Sequence, residues 1–87
     1  MINAFIGVNI SPEEAYVDLA GITIIADAIC ELNGVKEVHG VFGRYDLIAS
    51  IEVESIEELN DLVTKSIRGI QGIQSTETFI ISFSRST

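Results

Sequence analysis

Residues 35–46 read Val-Lys-Glu-Val-His-Gly-Val-Phe-Gly-Arg-Tyr-Asp and decide the fold of this chain. Val35–Phe42 has the apolar pattern of a strand, and a second strand pattern, Leu47–Val53, begins directly after Asp46. Because the link Gly43-Arg44-Tyr45-Asp46 is short, we expect the two strands to form a hairpin. The turn of this hairpin carries a single carboxylate, Asp46, which suits binding better than catalysis.

The sequence on either side of the hairpin completes a strand, helix, strand, strand, helix, strand order. Ile2–Ile10 alternates with a period of two and predicts the first strand, and Ser75–Ser84 predicts the last. Ser11-Pro12-Glu13-Glu14 and Ser55-Ile56-Glu57-Glu58 have capping-box spacing, which predicts a helix after each serine. This order predicts an α+β, ferredoxin-like βαββαβ fold whose four-stranded antiparallel sheet carries both helices on one face.

Apolar residues in both helical segments recur at steps of three and four, which places them on the face toward the sheet. In the first segment these residues are Leu19, Ile22, Ala26 and Ile29. Gly21 interrupts that run before a β-branched stretch, so we expect a kink or a break near it. In the second segment the predicted inner residues are Ile56, Leu59, Val63, Ile67 and Ile70.

The size and composition of the chain predict one domain, residues 1–87, that works as an oligomer. Hydrophobic residues make up 47% of the 87 residues, more than a small monomer easily hides. The apolar strand faces, including Phe79, Ile81 and Phe83, are expected under the helices. Four large apolar residues are then expected on the opposite face of the sheet, where they predict a dimer interface: Phe5, Val41, Ile48 and Ile80.

Charge and targeting features exclude several classes of protein. The net charge of −8, from 13 acidic and 5 basic residues, opposes direct binding of nucleic acid. The sequence has neither the pattern of a signal peptide nor an apolar run long enough for a membrane span. The single cysteine, Cys30, fits a reducing cytoplasm, and we expect it to be a buried structural thiol.

The sequence offers few residues for catalysis, and we predict no catalytic residue, metal site or cofactor. His39 is the only histidine, and we expect no second titratable group to lie near enough to act with it. The pairs Glu13-Glu14 and Glu57-Glu58 are explained by the helix starts, where carboxylates favour the helix dipole. A zinc site would need three or four converging ligands, and no such cluster is present in the sequence.

Two segments carry groups that suit a small zwitterion such as an amino acid. Asp46 offers a carboxylate for an ammonium, and backbone N–H groups near Gly43 suit a ligand carboxylate. The hydroxyls of Thr76 and Thr78 suit either end of such a ligand. Gly43 and Asp46 are also common turn residues, so from spacing alone a purely structural role is equally supported.

These motifs resemble the effector-binding (RAM) domain of the Lrp/AsnC family of transcription regulators, most closely over residues 35–81. The resemblance rests on four motifs of this sequence: Gly34-Val35-Lys36-Glu37-Val38, Gly43-Arg44-Tyr45-Asp46, Glu57-Glu58-Leu59-Asn60 with Ile67-Arg68, and Gly72-Ile73-Gln74-Ser75-Thr76-Glu77-Thr78. It implies a dimeric α+β barrel type of assembly through the sheets, with dimers joined into rings and amino acids bound in clefts between dimers. Carried over by motif, the implied effector contacts are Gly43, Tyr45, Asp46, Thr76 and Thr78.

The sequence departs from the family pattern before and after its first strand. No helix-turn-helix domain precedes Ile2, which implies a stand-alone form that does not itself read DNA. The link from Ser11 to Gly21 is several residues longer than in the family, and Asn33-Gly34 and Gln71-Gly72 stand where relatives often have Pro-Gly.

The leading hypothesis is a non-enzymatic, cytoplasmic, homo-oligomeric domain that senses a small amino acid and modulates full-length Lrp/AsnC regulators. Two alternatives stay open. One is a small enzyme of the dimeric α+β barrel type that uses His39 or Tyr45 as its acid or base. The other is an assembly module that binds no ligand.

Overall fold

The computed structural model describes residues 1–12 and 19–87, and of Leu19 and Ala20 it describes the backbone only. Its elements, in chain order, are β1 (Ile2–Ile10), α1 (Leu19–Cys30), β2 (Val35–Gly40), β3 (Leu47–Val53), α2 (Ile56–Asp61), a π-helix (Leu62–Ile67) and β4 (Ile73–Ile80). The strands form one antiparallel sheet in the order β2-β3-β1-β4. The predicted ferredoxin-like fold is confirmed.

The core lies between the helices and one face of the sheet, called here the helix face. β1 and β3 supply every second residue to it, as their period-two patterns predict, because side chains alternate between the faces of a strand. The fully or nearly buried core residues are Ala4, Ile6, Val8, Ile10, Ile25, Ile29, Leu47, Ala49, Ile51, Val53, Leu59, Leu62 and Ile67. The other face of the sheet, called here the outer face, has no helix from the described residues on it.

The predicted assignment of faces along β4 was wrong. Phe79 lies opposite Phe5 on β1, and Ile80 lies opposite the buried Ala4. Residues directly opposite each other in an antiparallel pair share a face, so Phe79 is on the outer face and Ile80 is on the helix face. Both faces of this segment carry large apolar residues, and the pairing with β1 therefore decides what the period-two pattern does not.

The strand boundaries differ from the predicted ones at β2 and β4, whereas β1 and β3 match. β2 ends at Gly40, two residues before the predicted end, and Val41 and Phe42 belong to the link. β4 runs from Ile73 to Ile80 and not from Ser75 to Ser84. Its last residue, Ile80, pairs with Ala4 of β1, and one residue further the N–H of Ile81 donates to the carbonyl of Asn3 (2.9 Å).

α1 is continuous through Gly21, so the predicted break at that residue is absent. Its β-branched run is held by packing, since Ile25 and Ile29 are buried and Ile22 and Ala26 pack against the core. Glu13 and Glu14 of the predicted capping box lie outside the described residues, as does most of the long link that follows Ser11.

α2 begins at its predicted cap. Ser55 is extended and its Oγ accepts a 3.1 Å bond from the N–H of Glu58. The Glu58 carboxylate reaches back to the N–H of Glu54, one residue before the cap, at 3.0 Å. Both ends of the capping-box exchange are therefore present, with the return bond shifted by one residue.

Four of the five predicted inner residues of this second helical segment, Leu59, Val63, Ile67 and Ile70, are buried or packed against the core, and after Asp61 the chain passes into a π-helix. The N–H of Arg68 donates to the carbonyl of Val63, an i to i+5 bond of 3.0 Å. The wider turn places Leu62 and Ile67, five residues apart, on the buried face. Ile56, predicted as an inner residue, is 56% exposed, because a buried face centred on Leu59 and Leu62 turns it toward solvent.

Candidate functional site

The Gly43–Asp46 turn is held mainly by Asp46, which bonds to β1 and to the link that follows β2. Its N–H donates to the carbonyl of Val8 (2.9 Å) and its carbonyl accepts from the N–H of Val41 (3.1 Å). Its carboxylate Oδ2 accepts from the N–H of Ile10 at 2.8 Å. Asp46 thus continues the β1–β3 ladder past Leu47 and closes the hairpin. Asp46 therefore has the structural role in the turn that the sequence allowed for it.

Gly43 gives the turn a conformation that other residues rarely adopt. Its φ is +145°, and a Cβ built on it would meet no atom within 4 Å. The requirement for glycine here is therefore one of backbone conformation and not of space. The open surroundings leave the backbone of this turn accessible to a ligand.

Tyr45 lies flat against the outer face of the sheet, directly over Gly7. A Cβ on Gly7 would stand 2.8 Å from the Tyr45 ring, so only glycine permits this contact. The ring meets Phe79 edge to face, with 6.1 Å between centroids and planes at 78°. The Tyr45 hydroxyl donates a hydrogen bond to Oε1 of Glu77. These contacts fix the phenol beside a carboxylate at the β4 edge.

The two predicted threonines lie on the other side of the sheet from Tyr45. Thr76 is opposite Val8 and Thr78 is opposite Ile6, both of which are core residues on the helix face. Thr78 lines a small groove of about 220 Å³ with Ile56, Leu59, Asn60, Val63 and Thr64. Within one chain, Gly43, Tyr45 and Asp46 are therefore together, and the threonine hydroxyls are separated from the Tyr45 hydroxyl by the sheet.

Glu77 is the site residue that the sequence reasoning missed. It lies opposite Gly7 and shares the outer face with Tyr45. The two residues are 32 positions apart in the chain, so no local pattern links them. The one available indication was its place between Thr76 and Thr78, where alternation in a strand requires the opposite face.

The four residues predicted as a dimer interface do not all share the outer face. Phe5 is on it and 42% exposed, and Ile48 is opposite Gly7 on the same face. Val41 is in the link after β2, and Ile80 is on the helix face. Phe79, 43% exposed and opposite Phe5, was not predicted for this surface. The outer-face apolar surface is accordingly Phe5, Ile48 and Phe79, with Tyr45 beside them.

The other groups considered for chemistry lie apart from this site. His39 Nε2 is 3.2 Å from Oε2 of Glu37, so the expectation that His39 has no titratable neighbour was wrong; both side chains are more than half exposed. Cys30 is an exposed free thiol, so the prediction of a buried one was wrong; it lies at the end of α1 and not among its inward residues. Among the described residues no group of three His, Cys, Asp or Glu side chains could hold a metal ion.

Across residues 1–12 and 19–87, none of the helices has the length and apolar character that crossing a membrane requires.

Comparison with known proteins identifies the family of the chain. The crystal structure of TTHA0845 from Thermus thermophilus is 32% identical, with a TM-score of 0.84 over 100% of both chains. A transcriptional regulator from Neisseria meningitidis, NMB0573 in complex with L-Met, shares the fold at 14% identity and a TM-score of 0.82, over 99% of this chain and 53% of its own.

A curated relative is an enzyme, and the match covers a small part of it. Homocitrate synthase from Saccharolobus islandicus is 34% identical over 59 residues, which are 68% of this chain and 13% of the enzyme. The family model described as the Lrp/AsnC ligand binding domain matches residues 3–85, which confirms the resemblance read from the motifs. The chain belongs to the Lrp/AsnC ligand-binding domain family.

Proposed function

We propose that this domain senses a small amino acid, works as an oligomer and performs no catalysis of its own. The observation that carries the proposal is the Tyr45–Glu77 pair beside the Gly43–Asp46 turn. It puts a phenol, a carboxylate and an accessible backbone at one end of the sheet. A carboxylate suits the ammonium of an amino acid, and backbone N–H groups suit its carboxylate.

Tyr45 and the two threonines lie on opposite faces of the sheet, and this decides which subunits the proposed site draws on. One ligand does not reach through a sheet, so a site that uses Tyr45, Asp46, Thr76 and Thr78 takes them from two subunits. The half-exposed Phe5 and Phe79, together with Ile48, supply an apolar surface through which two sheets would associate. In this proposal the ligand strengthens an assembly by binding at its boundary.

The relatives support sensing in preference to the other functions. NMB0573 is a regulator whose structure contains L-Met, and a homocitrate synthase contains a segment similar to most of this chain. A domain that occurs beside such different partners suits a ligand-responsive module. With a net charge of −8 the domain suits a protein partner better than DNA, and full-length Lrp/AsnC regulators are the partners we propose.

The enzyme alternative has weaker support. The His39 ring contacts the Glu37 carboxylate, and the Tyr45 hydroxyl is engaged by Glu77. A general base works best in a water-poor site next to its substrate, whereas both His39 and Glu37 are well exposed.

The experiment is a thermal-shift and calorimetric panel of the twenty amino acids on the native chain, Tyr45→Phe, Thr78→Val and the control Glu57→Gln. Tyr45→Phe keeps the ring contacts and removes the hydroxyl, and Glu57 lies in the first turn of α2, away from the site. A ligand at a hundredfold over its Kd adds about 2.7 kcal/mol to stability. If no amino acid shifts the native melting temperature, the proposal is wrong.

Mixing the two variants tests whether the site spans two subunits. If Tyr45 and Thr78 come from different subunits, co-refolded Tyr45→Phe and Thr78→Val chains regain about a quarter of the native sites, since random assembly pairs the two intact halves that often. If one chain supplied both groups, the mixture would bind no better than either variant.

A further inference from the structure

The small groove on the helix face that Thr78 borders has a mostly apolar wall. Its volume is about 220 Å³, and its lining consists of Ile56, Leu59, Asn60, Val63, Thr64 and Thr78. α2 and the π-helix supply the first five of these residues, and β4 supplies Thr78. The groove is therefore bordered by one of the two threonines that the proposed amino-acid site uses.

No charged side chain from the described residues lines this groove. Three larger grooves in the same part of the chain, of about 790, 470 and 420 Å³, each have at least two charged side chains in their lining. A charged group that left water for the small groove would lose hydration and gain no partner of opposite charge. The lining therefore disfavours a charged occupant.

The polar groups of the lining offer little to a polar occupant. The hydroxyl of Thr64 donates to the backbone carbonyl of Asn60 at 2.8 Å, so this donor is already used. Asn60 and Thr78 are exposed, so water satisfies their polar atoms. Exchanging a bond to water for a bond to a ligand contributes little net free energy. The gain from filling the groove therefore comes from its apolar carbon atoms.

That apolar carbon comes from three residues at different depths. Leu59 is 4% exposed, and Val63 is half-buried and packs against the core. Ile56, the first residue of α2, is 56% exposed. The deeper part of the groove thus belongs to a rigid core, while Ile56 presents apolar surface that a second apolar group can cover favourably.

We infer that this groove is the side-chain pocket of the amino-acid site, and that the effector carries an uncharged, apolar side chain. The inference rests on the proposed function, because it assigns one part of the same site. The Gly43–Asp46 turn and Tyr45 of one subunit bind the ammonium and carboxylate of the effector. Its side chain passes Thr78 of the second subunit and enters the groove.

The volume of the groove indicates which apolar side chains it accepts. An apolar cavity of about 150 Å³ holds a benzene ring, and this groove has about 220 Å³. It therefore has room for the side chains of valine, leucine, isoleucine, methionine and phenylalanine. The methyl group of alanine leaves most of the apolar wall uncovered, so alanine gains little from the groove.

A series of ligands that differ only in chain length tests the pocket on the native chain by calorimetry. L-Alanine, L-2-aminobutyrate, L-norvaline and L-norleucine share the ammonium and carboxylate and add one methylene at each step. Each step tightens binding about fourfold, the effect of burying one methylene. L-Lysine, L-glutamate and L-glutamine bind at least about tenfold more weakly than L-norleucine. A flat series, or a polar ligand that binds more tightly than L-norleucine, overturns the inference.

A charge placed at the groove should change the ranking of the ligands. Ile56→Lys alters an exposed position, so the chain still folds. It weakens L-norleucine binding at least about tenfold, and it shifts the ratio of L-norleucine to L-glutamate affinity at least about tenfold toward glutamate. Ile24→Lys is the matched control, since Ile24 is an isoleucine of α1 that is 68% exposed and does not line the groove. It leaves the ranking unchanged.

Sedimentation of the same two variants separates a ligand pocket from a surface covered by protein. If Ile56→Lys weakens the assembly and leaves the ranking of the ligands unchanged, a second subunit covers the groove and the inference is wrong. If Ile56→Lys changes the ranking and leaves the assembly intact, the groove holds the side chain of the effector.

Failure of this inference is distinguishable from failure of the proposed function. If amino acids shift the native melting temperature but the series is flat or favours polar side chains, sensing stands and the pocket assignment is wrong. If no amino acid shifts it, both are wrong.

Discussion

The carboxylate of Asp46 accepts a 2.8 Å hydrogen bond from the backbone N–H of Ile10, at the point where β1 runs past the end of β3. The register between β1 and β4 shifts between Asn9 and Ile10, so this N–H lies at an irregular place in the sheet. A partly buried donor without an acceptor costs free energy. Asp46 is therefore a structural residue as well as a candidate ligand contact, and a variant must separate the two roles.

We expect Asp46→Ala to lower the free energy of unfolding by about 1–3 kcal/mol, because it leaves the Ile10 N–H unpaired. Asp46→Asn keeps an acceptor oxygen and should lose clearly less. Urea denaturation at a fixed protein concentration measures both. Asp61→Ala is the control, since Asp61 forms an exposed i,i+4 pair with Lys65 at 3.4 Å, worth about 0.5 kcal/mol or less. Equal losses for Asp46→Ala and Asp61→Ala would contradict the structural role.

Gly7→Ala should displace the Tyr45 ring. The added methyl would stand 2.8 Å from the ring, and overpacking of this kind costs about 1–3 kcal/mol. We expect a change in the near-ultraviolet circular dichroism of tyrosine together with a lower urea midpoint. Gly40→Ala is the matched control in a strand, since a Cβ at Gly40 meets no atom within 4 Å.

The Gly7 effect should disappear when the ring is absent. In a Tyr45→Ala background the methyl group added by Gly7→Ala has no ring to collide with, so this substitution should be close to neutral. A double-mutant cycle measures the difference between the two backgrounds as a coupling energy. A cost for Gly7→Ala that is the same in both backgrounds would place the strain elsewhere.

Ser55→Ala should cost about 1 kcal/mol of stability, because it removes the acceptor for the N–H of Glu58 at the start of α2. Ser55→Asp, another good capping residue, should retain most of the native stability. Thermal denaturation followed by far-ultraviolet circular dichroism compares the three chains. A loss in Ser55→Asp as large as that in Ser55→Ala would show that the cap bond is not what Ser55 contributes.

The order of strands and helices was predictable because the apolar residues of each segment repeat with the period of either a strand or a helix. Ile2–Ile10 and Leu47–Val53 have a strongly apolar face each, and both their bounds and their buried faces were predicted correctly. In the last segment Phe79 and Ile80 are adjacent apolar residues on opposite faces, and only the pairing of Phe79 with Phe5 decides which faces outward. Register is a long-range property that local alternation does not contain.

The same limit applies to the candidate site. Gly43, Tyr45 and Asp46 are neighbours in sequence, so their proximity needed no tertiary information. The Tyr45–Glu77 bond joins residues 32 positions apart. It also depends on Gly7 of β1, since a side chain there would collide with the Tyr45 ring. The separation of Thr76 and Thr78 from the Tyr45 hydroxyl follows from strand alternation once the register of β4 is known.

The π-helix provides a direct test of how the second helical segment faces the sheet. Period alone predicted Ile56 as an inner residue, whereas the structure buries Leu62, which is 6% exposed, and leaves Ile56 56% exposed. Leu62→Ala should therefore destabilise the domain by about 2–5 kcal/mol, the range for a buried leucine. Ile56→Ala should change stability by about 0.5 kcal/mol or less, since surface substitutions act weakly.

Both variants remove apolar atoms from the same short segment, so they form a matched pair. Urea denaturation gives the two losses, and equal slopes with urea concentration would show that the unfolding reaction is unchanged. If Ile56→Ala costs as much as Leu62→Ala, then either the uniform α-helical face predicted from the sequence is the correct one or Ile56 is covered by another subunit. Repeating the measurement at several protein concentrations separates these two cases, because a loss that comes from an interface depends on concentration and one that comes from the core does not.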